Sequence, residues 1–174
     1  MRQRVFKIFV PVILLMFFSC EKGENEETIR VEDRIFDEAK LLTEEQQQKL
    51  FDLIIELQEN VGSQIAIFTM NSLNGETIEN FSLKKVNELK LGRQKEKDGL
   101  LVVVALHERE MRIEVGFGLE RIVEDQIALR NIREDMAPKF KTGDFYEGLF
   151  AGVNKIKGLI ENNKDLIGEL HKRY

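Results

Sequence analysis

The chain has 174 residues with Lys+Arg 26 against Asp+Glu 31, a formal net charge of −5, and its apolar fraction of 43% is enough to bury one core, which excludes disorder. A single Cys cannot form an internal bridge, so disulfide scaffolds, thiolate zinc modules, Fe–S clusters and paired-cysteine redox chemistry are excluded, and His107 and His171 are too few for a His-rich zinc centre. The acidic balance excludes nonspecific nucleic-acid binding.

Arg2, Arg4 and Lys7 precede an uninterrupted apolar run from Ile8 to Phe18, which ends at Ser19-Cys20. A basic start, an apolar stretch and a small residue at its end make a secretory signal. At 1.5 Å per residue the run spans about 16 Å, short of the ~30 Å hydrocarbon core, so a permanent membrane helix is disfavoured. Phe17-Phe18-Ser19-Cys20 resembles the lipobox of bacterial lipoproteins, with Phe17 where Leu is usual. On that reading residues 1–19 are a lipoprotein signal peptide, and Cys20 is lipidated and becomes the first residue after cleavage. The alternative is an ordinary secretory peptide that contains Cys20. Residues 20–28 form an acidic tether: Glu21 to Glu27 holds no apolar residue and stays solvated. Loss of the three leader cations leaves the exported domain more acidic than the whole chain. The expected location is therefore the bacterial cell envelope, periplasmic or surface-facing, with the membrane as partner through Cys20.

A domain is expected over residues 29–162. Thr43 to Gln46 has capping-box spacing, and Leu50, Leu53, Ile54, Leu57 and Val61 follow at helical intervals as far as Gly62. Gln64 to Met70 is apolar on both faces and β-branched, a strand covered on both sides. A turn at Asn71 to Gly75 leads to a helix from Thr77 to Leu89, with Ile78, Phe81, Val86 and Leu89 inward. After a charged loop from Lys90 to Lys97, Leu100 to Ala105 is a second buried strand, and His107 to Glu110 turns the chain back. Met111, Ile113 and Val115 alternate with Arg112 and Glu114, a strand with one wet face. A helix from Glu124 to Met136 is expected to end at Pro138, and a last helix to open at Asp144 with Glu147 completing its cap. Residues 163–174 read as a polar C-terminal tail. This order gives an α/β fold, a three-layer α/β/α sandwich around a mixed sheet of about four strands.

Topology places the polar residues. The two buried strands are joined through a crossover helix and so run parallel, beginning at one edge of the sheet, which we call the leading edge. The hairpin partner runs the other way and returns Gly116 to Glu120 to that edge. Asp98, Glu120, Glu124 and Asp125 thus gather at one end of the domain. Clustered carboxylates repel unless a cation neutralises them, and oxygen donors without His or Cys suit Ca²⁺ or Mg²⁺. The competing reading is that Glu124 and Asp125 complement the positive end of their helix and the remaining acids are solvated. Gly116-Phe117-Gly118 lacks the third Gly of a dinucleotide loop and the Lys of a P-loop, and reads instead as glycines allowing positive φ at a strand exit. No Cys or His nucleophile stands beside a base, Ser63 and Ser82 have no catalytic company, and His107 falls at the opposite edge. Asp37 is also placed away from the acids, in a turn or cap role.

Ile35 to Thr43, Gly75 to Phe81, Lys97-Asp98-Gly99 before the second buried strand, Arg112 to Glu120, and Gly143-Asp144-Phe145 before Gly148-Leu149 together resemble the TPM domain family over about Phe36 to Ile160. Known members of that family include thylakoid-lumen repair proteins, a nematode receptor auxiliary protein and many exported bacterial proteins. The resemblance implies an α/β/α sandwich, with acid phosphatase activity and divalent-metal binding, often calcium, as properties attributed to members. By position it implies Asp98, Glu120 and Asp125 as the metal-holding acids, although Lys97 stands where an acid is common, Arg121 where glycine is usual and Phe117 where tyrosine is usual. Three functions are carried forward: a lipid-anchored, cation-binding accessory or partner-binding module of the envelope; a weak metal-dependent phosphomonoesterase, in which Asp98, Glu120 and Asp125 hold the ion and its water; and a purely structural envelope protein. An envelope protein is a further expected partner.

Overall fold

The computed structural model describes residues 29–169. The leader, the whole of the tether with Cys20, and the last residues of the tail lie outside the described residues.

The mixed sheet has four strands in the order β1-β2-β3-β4. Strand β2 (Gln64–Met70) and β3 (Gly99–Ala105) are parallel and centrally placed, as their apolar runs require. Strand β4 (Glu110–Val115) pairs antiparallel to β3, with Leu100 opposite Val115 and Ala105 opposite Glu110. The fourth strand is β1 (Ile35–Asp37), parallel to β2 with Phe36 beside Phe68. Only three residues long, it carries too little alternation to be found from pattern.

Side-chain alternation divides the interior into two cores. Ile65 and Ile67 of β2 with Leu100, Val102 and Val104 of β3 join Leu50, Ile54 and Leu57 of α1 (Glu44–Val61) and Leu149, Val153 and Ile156 of α5 (Phe145–Asn162). Ala66, Phe68 and Met70 with Leu101 and Val103 face the other way, onto α2 (Ile78–Glu88). Each fully buried Leu or Ile contributes about 1.5–3 kcal/mol, which drives the layering. The expected capping box closes α1: Thr43 Oγ1 accepts from Gln46 N at 3.2 Å while Gln46 Oε1 accepts from Thr43 N at 2.9 Å. Gly62 then ends the helix at φ +86°.

The wet face of β4 is drier than its alternation implies, because α2 partly covers it. Buried Ser82 donates to Glu114 at 2.8 Å, and Glu114 also accepts from Arg112 Nε at 2.7 Å.

Three local departures concern the C-terminal half. The helix expected to stop before Pro138 continues: α3 (Asp125–Asn131) widens into a π turn at Ile132–Met136, and α4 (Ala137–Phe140) follows with Pro138 in its first turn. Ala137 N bonds to Ile132 O, five residues back, so Pro138 falls where a helix start needs no N–H. Buried Asn131 and Met136 both meet α5 at Gly152; Asn131 Nδ2 donates to Gly152 O at 3.1 Å, and a Cβ there would lie 2.6 Å from Met136 Cγ. At the start of α5, Asp144 makes no side-chain cap; its carboxylate instead accepts from Thr142 Oγ1 at 2.6 Å. The packed domain also runs past residue 162. Leu166 and Ile167 pack on the core, and Gly168 N donates to Gly118 O at 3.0 Å. Among the described residues no helix is long and apolar enough to cross a membrane.

Candidate functional site

The register brings the expected segments to the leading edge. Gln64 pairs with Gly99 and Leu100 with Val115, so the starts of β2 and β3, the exit of β4 and the approach to α3 share one end of the sheet.

Asp98 is wholly buried there. One carboxylate oxygen accepts from Arg93 N at 2.8 Å. The other accepts from Arg93 Nε at 2.9 Å, Arg93 Nη2 at 2.5 Å and Ser63 Oγ at 3.1 Å. The guanidinium lies against Gly62, where a Cβ would fall 2.6 Å from Arg93 Cζ. Asp98 therefore ties the end of α1, the loop before β3 and β3 itself. Its charge is compensated and its acceptor sites are occupied by donors.

The Gly-Phe-Gly segment is also structural, for a different reason from the one expected. Gly116 has φ −68°, so positive φ is not its requirement. Gly118 is there because two backbones nearly touch: a Cβ would come 1.8 Å from Glu96 O. Its N–H donates to Lys97 O at 2.9 Å and that of Gly116 to Gly99 O at 2.7 Å. Both amides an anion would use are committed to the chain.

Glu120 and Asp125 are exposed, as is Glu124. Among the described residues no three His, Cys, Asp or Glu side chains come together as a group able to hold a metal ion. The set Asp98, Glu120 and Asp125 does not fit a divalent cation, since Asp98 faces inward onto Arg93 while the other two face water.

Beside these loops lies a groove of about 770 Å³ between α2 and the Gly116–Glu120 segment. Leu83, Val86 and Phe117 supply its apolar surface, Lys90 and Lys97 its exposed cations, and Glu120 an exposed acid. Leu83 is 55% exposed and Phe117 59%.

The sequence matches the TPM domain family over residues 35–159. The chain belongs to that family. The TPM fold of this chain is similar to the solution structure of the N-terminal domain of a protein from P. gingivalis, at 30% identity and a TM-score of 0.70, covering 75% of this chain and 83% of that one. The BA42 protein from Bizionia argentinensis shares the fold at a TM-score of 0.60 and 22% identity, covering 70% of this chain and 82% of that one. No curated protein matches the chain.

Arg93 and Ser63, which complete the Asp98 arrangement, were not identified from sequence. Their signals are faint: an arginine five residues before the acid in a charged loop, and a serine just after the helix-ending glycine. Leu83 was detectable, as the leucine of α2 off the inward stripe. Ser82 satisfies Glu114, and His107 lies in the hairpin turn at the far edge, its side chain 83% exposed and 3.7 Å from Glu108. Asp37 stands at the end of β1, where it accepts from Leu41 N at 3.1 Å, Leu42 N at 2.9 Å and Thr69 Oγ1 at 2.5 Å.

Proposed function

We propose that the chain is a lipid-tethered TPM module of the bacterial cell envelope that works by binding, not by hydrolysis. The observation that carries the reading is the engagement of Asp98. A metal-dependent phosphomonoesterase needs carboxylates free to hold an ion and its attacking water. Here the acid best placed by the family pattern neutralises Arg93 inside the fold. The leading-edge groove supplies what a binding module needs, apolar side chains beside cations on a rigid edge. Cys20 directly after the apolar leader supplies the tether.

Two measurements test the proposal. Mass spectrometry of the membrane-extracted protein should find a chain beginning at a diacylglyceryl-modified Cys20, and an intact leader or an unmodified cysteine overturns the tether. Phosphate release from p-nitrophenyl phosphate with calcium or magnesium should not exceed the metal-free control. Metal-dependent release that disappears in Glu120→Ala or Asp125→Ala, with the fold retained, overturns the non-catalytic reading.

A further inference from the structure

The groove at the leading edge combines features that point to one occupant. Leu83 and Phe117, two of the largest exposed apolar side chains, stand on opposite walls of the same groove. Exposed Lys90 and Lys97 flank them, although the chain as a whole carries −5. Apolar side chains ringed by lysines are the pattern of a surface that rests in the headgroup layer of an anionic bilayer.

The path of the chain supports the same occupant. The segment before β1 arrives at this end: Arg34 O accepts from Ile67 N, and Arg34 Nη2 donates to Gln58 near the end of α1. The next turn of that helix end, at Gly62, touches Arg93. Between Cys20 and Ile29 the chain can span at most about 30 Å when extended. A domain so tethered is held within that reach of the bilayer, with its leading edge turned towards the point of attachment.

We infer that the leading edge, through Leu83, Phe117, Lys90 and Lys97, is a membrane-contact face that docks on anionic phospholipid. The inference rests on the tethered reading. The exposed acid on the groove, Glu120, opposes docking, so its removal strengthens the contact.

The chain has no Trp, so a single indole reports its own surroundings. Full-length protein carrying Leu83→Trp, Phe117→Trp or, at the far edge, His107→Trp is reconstituted with vesicles of phosphatidylcholine, with and without phosphatidylglycerol. Each variant's thermal unfolding is compared with the parent chain. Flotation first establishes that the protein is membrane-bound, and failure to float overturns the tether itself. For protein that floats, the indoles at 83 and 117 should emit further to the blue and be quenched by brominated lipid about twofold or more, with the indole at 107 unchanged. The effect should require phosphatidylglycerol, weaken in high salt, fall in Lys90→Glu/Lys97→Glu and grow in Glu120→Gln. Indoles at 83 and 117 that stay in water on floated protein overturn the inference, as does equal quenching at 107. Quenching that is indifferent to lipid charge overturns the assignment to anionic lipid.

Discussion

Arg93 closes on Asp98 twice, through its backbone N–H on one carboxylate oxygen and through its guanidinium on the other. The bidentate grip makes one buried acid behave unlike the exposed acids beside it. Asp98→Ala is expected to lower the unfolding free energy by about 3 kcal/mol, the low end of the range for breaking a buried pair because the Arg93 side chain is 39% exposed. Glu120→Ala and Asp125→Ala should each stay within about 0.5 kcal/mol. Urea unfolding of the three variants measures this, and Asp98→Ala should cost clearly less in an Arg93→Met background.

Gly118 and Gly158 make a matched pair for testing backbone approach. A Cβ at 118 meets Glu96 O at 1.8 Å, whereas one at 158, inside α5, meets nothing within 4 Å. Gly118→Ala should destabilise by about 2–3 kcal/mol because two chain segments must part. Gly158→Ala should stabilise by about 0.5–1 kcal/mol through helix propensity. Thermal midpoints that move in the same direction would contradict the difference in packing.

Asp37 satisfies two backbone N–H groups and the Thr69 hydroxyl at the end of β1. Asp37→Ala strands those donors and should cost about 2–4 kcal/mol. Asp37→Asn, which keeps one acceptor oxygen, should recover part of the loss in the same denaturant titration.

Acid sensitivity has a local contributor between α1 and α5. The Asn60 side-chain amide, 2.9 Å from Glu161, holds that carboxyl below the usual glutamate range, with Lys157 assisting. A depressed folded-state pKa adds stability that is present above the unfolded-state value, near 4.3, and is lost as pH falls through the lower folded-state value. The parent chain should therefore exceed Asn60→Ala in stability at neutral pH, and the gap should narrow as the solution is acidified below about pH 4. Paired unfolding curves across that window provide the check.

Much of this architecture is legible in the residues. The runs Gln64–Met70 and Leu100–Ala105 are apolar on both faces, and Thr43 with Gln46 marks the start of α1, so strand polarity and the shared leading edge follow from connectivity. The fate of Asp98 does not, because its partner is chosen by the reach of Arg93 across a turn, and an acid in a loop looks the same whether it faces water or an arginine. The same holds for Gly116 and Gly118, which looked like conformational requirements and proved to be steric ones. Pro138 misleads because a proline that ends an α-helix is indistinguishable in sequence from one that begins the next.

In a regular α-helix, residues five apart point about 140° away from each other. The wide turn at Ile132–Met136 cancels that angular drift, so Asn131 and Met136 both aim at Gly152. It works as a phase corrector between two stretches of helix whose buried stripes would otherwise fall out of step. Winding the same residues as a regular ladder would swing Met136 out of line with α5, whereas deleting one of them would restore that ladder with only about 40° of drift, so the wide turn absorbs one extra residue and keeps this layer closed.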